Sequence, residues 1–369
     1  MDTAKDNRSV LTLDAGGTNF VFSAIQGNKE IVQPVTLNAN AHNLDLCLDT
    51  IIKGFQQIYD SLSKKPVAIS FAFPGPADYP NGIIGDLGNL PAFRGGVALG
   101  PMLQEKFKLP VFINNDGDLF AYGEAIAGFL PEVNKLLEKA SSPKRYKNLI
   151  GITLGTGFGC GIVRDGSLFI GDNSVAAEIW LVRNKIHRHC LSEESVSQRA
   201  ILRHYAEKSD VPLDANLTPK DIYDIAMGTK QGDSQAAKQS FKEMAEVLGD
   251  ALANTLTLID GLIVIGGGIS GAAPLFLPAT VEEMNGVIGK FDGSTVPRVV
   301  MKVFNLEELA QVDEFVRGGI RQIKIPRTNK MITFYPVQRT GIGISKLGAS
   351  HAVAIGAYAF ALDQLDRQE

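Results

Sequence analysis

The sequence contains few cysteines and no long uninterrupted apolar run. Cys47, Cys160 and Cys190 are an odd and sparse set, which fits a reducing compartment better than a disulfide framework. No stretch approaches the roughly 18 consecutive apolar residues that a membrane-spanning helix needs, and the polar first ten residues show no signal-peptide h-region. These absences predict a cytoplasmic protein without a membrane partner.

Concentrated positive charge is also absent, because the net charge is −4 and Lys and Arg are scattered along the chain. We therefore expect no nucleic-acid partner. A GxxxxGK[ST] loop is missing, so we do not expect a P-loop fold. Gly155, Gly157 and Gly159 partly resemble a dinucleotide fingerprint, but the chain continues through apolar Ile162 and Val163 and does not open a helix there.

The chain is long and rich in glycine. Its 369 residues suffice for about two domains, and its 45% hydrophobic and 21% charged content is ordinary for a globular protein. The 38 glycines exceed the average frequency of about 7%, and they cluster in short runs after apolar segments. This placement indicates turns at strand ends and not a flexible linker.

A polar cluster follows the apolar run 111–113, where a buried strand would emerge. Ligands bind at the carboxyl ends of strands in open α/β sheets. Asp116 beside the amide of Asn115 suits hydrogen bonding to a sugar or alcohol and acceptance of its proton. Gly117 is expected to break the pattern before Asp118 caps a helix. The alternative interpretation is that this is only a helix N-cap cluster.

Three glycine turns follow apolar runs. The segment Asp14-Ala-Gly-Gly-Thr-Asn19 lies between two strand candidates and predicts a hairpin. There Gly16 and Gly17 can take a positive φ, and successive N–H groups can form an anion nest. The alternative is an ordinary hairpin turn. Leu154-Gly-Thr-Gly-Phe-Gly159 repeats the pattern about 140 residues later, which suggests two related lobes. Gly266-Gly-Gly268 could accommodate a nucleotide base or ribose, or form a tight strand-to-helix turn.

These segments resemble, in order, the first phosphate, second phosphate and adenosine motifs of the actin/hexokinase/Hsp70 superfamily. The helical patterns near 118–128 and 348–361 resemble its two connecting helices. Within it the chain most resembles the ROK family (repressors, open reading frames and kinases), over nearly its whole length. The segments that carry this resemblance are Asn89-Leu-Pro91, Asn115-Asp116, Ala177-Glu-Ile179 and the run 190–200.

The resemblance implies an α/β, two-lobed actin-like ATPase (ribonuclease H-like) fold with a cleft between the lobes. We expect a smaller N-terminal lobe of residues 1–116 plus 350–369 and a larger C-terminal lobe of residues 117–349. The segment 285–345 is richer in β-branched residues and turns, which indicates a β-rich insertion.

The implied activity is ATP-dependent phosphorylation of a hexose hydroxyl, with glucose 6-OH first and N-acetylated hexosamines, mannose or fructose behind it. Asp116 would be the general base, and Asp14 would hold Mg²⁺ through water. The implied sugar-binding residues are Asn89, Asn115, Asp116, Glu178 and Glu193. The implied nucleotide-binding residues are Asp14, Gly16, Gly17, Thr18, Asn19, Gly155, Thr156, Gly157, Gly266, Gly267 and Gly268.

The sequence also departs from the family pattern. Trp180-Leu181 stands where the family has Gly-His, and the match at Glu193 needs a one-residue insertion, so Glu194 competes with it. The C-x-C-G-x-x-G-C zinc cluster is absent. His187, His189 and Cys190 are fewer than the four ligands of a structural zinc site, so we do not expect zinc.

Two other functions stay open. Some members of the family are sugar-responsive repressors, which carry an added N-terminal helix-turn-helix, but Asp14 lies too near the start for one. A non-catalytic sugar binder is the other alternative, prompted by the missing histidine. A homodimer is a further implication of the resemblance.

Overall fold

The computed structural model describes residues 3–88, 90–212 and 216–367. Contacts divide the chain into two compact units. Unit 1 comprises Met1–Gly128, Gly161–Ala177 and Leu347–Glu369, and unit 2 comprises Phe129–Cys160 and Glu178–Lys346. The lobe boundaries expected after residues 116 and 349 therefore differ from the divisions observed after 128 and 346. The segment 161–177, expected in the larger lobe, belongs to unit 1.

The strands and helices follow one another in mixed order along the chain. The strands are β1 (Val10–Ala15), β2 (Asn19–Gln26), β3 (Lys29–Glu30), β4 (Val35–Asn38), β5 (Ala68–Ala72), β6 (Ala77–Asp78), β7 (Ile83–Ile84), β8 (Val111–Asn114), β9 (Leu149–Leu154), β10 (Phe158–Arg164), β11 (Ser167–Leu168), β12 (Leu262–Gly266), β13 (Val287–Gly289), β14 (Thr295–Pro297), β15 (Lys302–Asn305), β16 (Arg321–Lys324), β17 (Met331–Phe334) and β18 (Arg339–Ile344). The α-helices are α1 (Leu44–Ser61), α2 (Leu99–Phe107), α3 (Asp116–Ile126), α4 (Phe129–Lys139), α5 (Gln198–Lys208), α6 (Pro219–Ala226), α7 (Ser234–Ile259), α8 (Ala273–Met284), α9 (Leu309–Arg317) and α10 (Ala349–Asp366). None of the helices in the described ranges is both long and apolar enough to cross a membrane.

The sheet of unit 1 has the order β3-β2-β1-β5-β8, and β4 also pairs with β2. Strands β1, β5 and β8 run parallel, whereas β1 and β2 form the antiparallel hairpin that the sequence predicts. Apolar residues of the sheet pack with Ile51 and Phe55 of the amphipathic helix α1 into one core cluster. The other cluster joins Val10 and Ala68 of the sheet to Tyr358 of α10. The sheet is thus covered on both faces, as parallel strands require.

Helices α3 and α10 of unit 1 cross at glycines. A Cβ atom on Gly356 would lie 1.9 Å from the carbonyl oxygen of Leu119, and one on Gly123 would lie 1.9 Å from that of Ala352. No carbon atom fits at such distances, so only glycine lets the two backbones approach this closely. The small residues of the C-terminal helix therefore serve helix packing.

The main sheet of unit 2 contains the order β10-β9-β12-β18-β15. Strands β9, β12, β18 and β15 run parallel. The segment 285–345, expected as a β-rich insertion, only partly fits that description. Its strands β15 and β18 belong to the main sheet, while the pairs β13–β14 and β16–β17 form separate antiparallel hairpins.

The helix crossing gives a stability prediction. We expect Gly356→Ala to lower the free energy of unfolding by about 2–3 kcal/mol or more, because α3 and α10 must separate to admit the methyl group. Chemical denaturation measures this loss. Gly271→Ala is the matched control, since a Cβ there meets no atom within 4 Å. Equal midpoints for the two variants would contradict the assigned role of the crossing.

Candidate active site

The register of the parallel strands brings two acidic residues to one edge of the unit 1 sheet. Leu11 pairs with Ile69, which pairs with Val111, so Asp14 at the end of β1 is level with Asn114 at the end of β8. Two strand spacings separate these positions, about 10 Å. Asp116 begins helix α3 two residues later. The carboxyl edge expected to bind ligands therefore carries both predicted carboxylates.

Helix α3 begins earlier than the sequence analysis expects. Asn115 is its N-cap, and the Oδ1 atom of Asn115 accepts a hydrogen bond from the Gly117 amide at 2.8 Å. Gly117 is inside the helix, so the predictions that it breaks the pattern and that Asp118 caps the helix are wrong. An N-cap role therefore accounts for Asn115. It leaves Asp116 in the first turn, where the helix dipole favours a carboxylate.

Two opposing effects act on the carboxyl group of Asp116. Water reaches its outer side, yet the protein atoms packed behind it disfavour the charged form, and this desolvation raises the pKa of Asp116. The nearby charge of Asp14 raises it further, while the hydrogen bond from the Gly117 amide opposes the rise. A carboxylate with a raised pKa is a better proton acceptor than an ordinary surface aspartate.

The first glycine turn joins β1 to β2. The Gly16 amide donates to the carbonyl oxygen of Asn19 at 3.1 Å. A Cβ on Gly16 would lie 2.8 Å from the same oxygen, which explains the glycine. Neither Gly16 nor Gly17 has a positive φ, contrary to what the sequence analysis allows for them. The exposed residues Gly17 and Thr18 at the tip of the turn leave backbone that an anion can reach.

A loop that the sequence analysis did not single out connects this turn to the segment containing Asn89. The Ala39 amide donates to the Thr18 carbonyl at 2.9 Å, and the Ala92 amide donates to the Ala41 carbonyl at 3.2 Å. Asn38 and residues 40–43 of this loop, together with Gly17, Thr18 and Leu46, line a cavity of about 380 Å³. Asn40 has a left-handed φ of 52°. Asparagine adopts this conformation more often than most residues, and this preference is the one feature of the sequence that could have indicated the loop. Asn89 itself lies outside the described residues.

The second glycine turn, between β9 and β10, is supported by Glu193. One carboxylate oxygen of Glu193 accepts a hydrogen bond from the Phe158 amide at 3.0 Å, and the other pairs with Arg199 at 2.8 Å. A Cβ on Gly157 would lie 2.8 Å from Glu193 Oε2. Thr156 at the tip of the turn is exposed. The structure thus brings Glu193, predicted as a sugar contact, against the predicted phosphate turn.

The third glycine turn packs directly on the second. Strands β12 and β9 are parallel neighbours, and Gly266 is level with Thr153. Gly267 has a φ of 90°, and a Cβ on it would lie 2.4 Å from the carbonyl oxygen of Leu154. That oxygen also accepts a hydrogen bond from the Ile269 amide at 3.0 Å. Unit 2 therefore holds Gly155–Gly157 and Gly266–Gly268 together at one sheet edge.

The residues around Glu178 form a separate group. Glu178 precedes a short 3₁₀ turn, Ile179–Leu181, and its carboxylate accepts a hydrogen bond from the Trp180 indole. The Ser192 hydroxyl donates to the Ile179 carbonyl at 2.9 Å and fixes this turn. Trp180, which stands where the family has glycine, is therefore tied to the predicted sugar-binding carboxylate.

No described residues form a cluster of three or more His, Cys, Asp or Glu side chains suited to a metal ion. Cys190 is exposed, as are His187 and His189. Mg²⁺ usually binds through one or two carboxylates together with substrate phosphates, so it needs no such cluster. Asp14 at the exposed end of β1, with its carboxylate beside the first glycine turn, fits that requirement.

A glycine turn at the first hairpin, a second at β9–β10 and a third after β12 are the features of an actin-like ATPase fold. Residues 10–304 match the ROK family, and the chain belongs to that family. A glucokinase structure from Parabacteroides distasonis is 53% identical, covering 98% of this chain and 99% of that one, with a TM-score of 0.88.

Two further relatives have lower sequence identity. The N-acetyl-D-glucosamine kinase of Vibrio cholerae is 27% identical over 84% of this chain and 96% of its own length. A ROK glucokinase from Streptomyces griseus, solved with glucose and AMPPNP, has a TM-score of 0.59 at 18% identity, with 95% of this chain and 98% of that chain covered. At this identity the Streptomyces structure supports the fold alone.

The contact between Glu193 and the second glycine turn gives a kinetic prediction. We expect Glu193→Ala to raise the KM for ATP about tenfold, because the Phe158 amide loses a charged acceptor. Steady-state kinetics with varied ATP and varied sugar measure this change. Glu194→Ala is the control, since Glu194 pairs with Arg199 and Arg203 but the Phe158 amide bonds to Glu193. If Glu193→Ala raised only the sugar KM, its assignment to the turn would be wrong.

Proposed function

We propose that this protein is an ATP-dependent sugar kinase that transfers the γ-phosphoryl group to a hexose hydroxyl, with the 6-OH of glucose as the preferred acceptor. The observation that carries the proposal is the carboxylate of Asp116 at the carboxyl edge of the unit 1 sheet, the edge that also carries Asp14. The relatives support the same activity, because the proteins from Parabacteroides distasonis and Vibrio cholerae are named as kinases of glucose and N-acetyl-D-glucosamine.

In the proposed reaction, Asp116 accepts the proton of the sugar hydroxyl while its oxygen attacks the γ-phosphorus. The phosphoryl group is transferred to the sugar oxygen, and ADP is the leaving group. Backbone amides of the turn 14–19 bind phosphate oxygens, as do those of 154–159. Phosphoryl transfer depends mainly on such positioning and charge stabilisation.

The remaining assignments of the proposal concern the nucleoside, the metal ion and the sugar. Gly266, Gly267 and Gly268 leave open backbone for the nucleoside. Asp14 holds Mg²⁺ through water, and this ion neutralises charge on the phosphates when it is bound. Asn115 and Glu178 contact sugar hydroxyls. Asn89 is retained as a sugar contact on the family resemblance alone.

N-acetyl-D-glucosamine is the second candidate acceptor, favoured by the relative from Vibrio cholerae. The presence of the Asp116 carboxylate favours a kinase over a non-catalytic sugar binder or a regulator. A cytoplasmic location and a homodimer remain predictions from the sequence.

A coupled ADP-release assay across hexoses and amino sugars tests the proposal. We expect turnover with glucose or N-acetyl-D-glucosamine, and a loss of about 10²–10⁴-fold in kcat for Asp116→Asn, the range typical of general base catalysis. The glucose Kd of this variant should remain near that of the wild type, because the amide keeps the shape of the side chain.

Asp49→Asn on the exposed face of α1 is the control for the charge change. Sugar-independent ATP hydrolysis with no response to any acceptor would contradict the proposed activity. An Asp116→Asn variant that keeps more than about a tenth of the wild-type kcat would contradict only the choice of base.

The influence of Asp14 on Asp116 gives a pH prediction. The base works only when deprotonated, so kcat/KM should fall as the pH decreases through the pKa of Asp116, which is raised above its ordinary value. Asp14→Asn removes a negative charge that contributes to this rise, so the acidic limb should move to lower pH. The position of the acidic limb is measured from the pH dependence of the residual kcat/KM of Asp14→Asn. The Asp49→Asn control should show the same limb as the wild type. A limb that stays in place or moves to higher pH would contradict the predicted effect of the Asp14 charge on the pKa of Asp116.

A further inference from the structure

The start of helix α5 lies between the second and third glycine turns of unit 2. The backbone amide of Gln198, the first residue of this helix, donates to the Gly155 carbonyl of the second turn at 2.9 Å. Its side chain extends to the third turn, since a Cβ on Gly268 would lie 3.5 Å from Gln198 Nε2. One residue, which the sequence analysis did not single out, therefore borders both turns.

The backbone around Gln198 is held against the second turn by further contacts. The hydroxyl of Ser197, the N-cap of α5, donates to the Glu193 carbonyl at 2.9 Å. The Glu193 carboxylate in turn accepts hydrogen bonds from the Phe158 amide and from Arg199. Because these contacts lie within unit 2 and involve no ligand, the Gln198 side chain starts from a fixed position when a ligand binds, which lowers the entropic cost of that contact.

The side-chain amide of Gln198 is not used in this network. Over the described ranges of the chain, it makes no hydrogen bond to another residue, and the side chain is half-buried. Water must therefore satisfy its donors and its acceptor in the free protein. A solvated residue at a helix start is the simpler interpretation of such an amide, but that interpretation does not account for its position against two glycine turns.

The surroundings of the amide leave room for a ligand. A Cβ on Gly155 would meet no atom within 4 Å, and one on Gly268 would meet only the Gln198 side chain. Gly268 is exposed, as is Thr156 at the tip of the second turn. A ligand that lies on the backbone of the third turn would therefore have the Gln198 amide as its neighbour.

The position between the turns indicates which part of a nucleotide the amide meets. The second turn is proposed to bind phosphates and the third turn to bind the nucleoside, so the ribose, which joins the phosphates to the base, passes the junction of the two. A hydroxyl both donates and accepts a hydrogen bond, and an amide side chain offers the complementary acceptor and donor. Phosphate oxygens would gain more from a charged Lys or Arg side chain, so the uncharged amide suits the ribose better.

We propose that the Gln198 side chain hydrogen-bonds the 2′- and 3′-hydroxyls of the ribose, and that it thereby favours ribonucleotides over deoxyribonucleotides. This inference rests on the proposed function for the placement of the nucleotide, and it adds a residue that sets nucleotide selectivity. Gln198 does not touch the reacting atoms in this arrangement. Its contact therefore changes the affinity for the nucleotide and leaves the chemical step unaltered.

Isothermal titration calorimetry with ADP, 2′-deoxy-ADP and 3′-deoxy-ADP, each with Mg²⁺, tests the contact without turnover. We expect Gln198→Ala to raise the Kd for ADP about three- to tenfold, the usual effect of losing a neutral hydrogen bond. The wild type should bind at least one deoxy analogue more weakly than ADP by a similar factor. The variant should bind that analogue and ADP equally well, because the two changes remove the same interaction and their effects do not add.

Gln235→Ala is the matched control, because Gln235 is an exposed glutamine in the first turn of another helix, α7. It should leave all three Kd values unchanged, and thermal melts followed by circular dichroism establish that both variants are folded. An unchanged Kd for ADP in Gln198→Ala would overturn the proposal. An increase that is equally large for ADP and for both deoxy analogues would also overturn it, since the amide would then contact the base or the phosphates.

The same titrations separate this inference from the proposed function. They contain no sugar acceptor, so nucleotide binding is measured whether or not a phosphoryl group is transferred. A protein that binds ADP with the expected selectivity but releases none from ATP with any sugar would contradict the proposed activity alone. A protein that phosphorylates a sugar but binds ADP and both deoxy analogues equally well would contradict the role of Gln198 alone.

Discussion

The parallel register of β1, β5 and β8 is the constraint on which the site in unit 1 depends. It brings the ends of β1 and β8 level, so that Asp14 and the start of α3 share one sheet edge. The helix crossing at Gly123 and Gly356 then fixes α3 against the sheet through α10. A shift of one residue in this register would turn the edge residues to the opposite face, and Asp116 would no longer share this edge with Asp14 in the same orientation.

In unit 2, the packing of one glycine turn against another holds backbone groups at the carboxyl edge of the sheet. Its second and third glycine turns follow neighbouring parallel strands, and Gly267 fits against Leu154 because it has no side chain and a left-handed φ. Glu193 lies in the segment that follows the 3₁₀ turn Ile179–Leu181, and its carboxylate accepts a hydrogen bond from the Phe158 amide of the second turn. In each unit, glycine is required where the backbone of one segment approaches that of another most closely, and this packing positions the backbone amides at the carboxyl edge of the sheet.

Much of this arrangement follows from local sequence. Apolar runs ending in glycine predicted the β1–β2 hairpin and the turns after β9 and β12, since each turn is encoded within a few residues. The start of α3 was placed too late, because Asn115 and Asp118 are both good caps and only tertiary context decides between them. The support of Glu193 for the second turn and the link through residues 38–43 join segments distant in sequence, and no periodic pattern reports such contacts.

We propose that the glycine turns bind the phosphates of ATP and that the end of β8 binds the sugar. Hydrogen–deuterium exchange of the wild-type protein tests this claim most directly. Addition of a non-hydrolysable ATP analogue with Mg²⁺ should slow amide exchange in 16–19 and 155–158, and addition of glucose or N-acetyl-D-glucosamine should slow it in 114–118. Unchanged exchange in both glycine turns at saturating nucleotide would contradict the account.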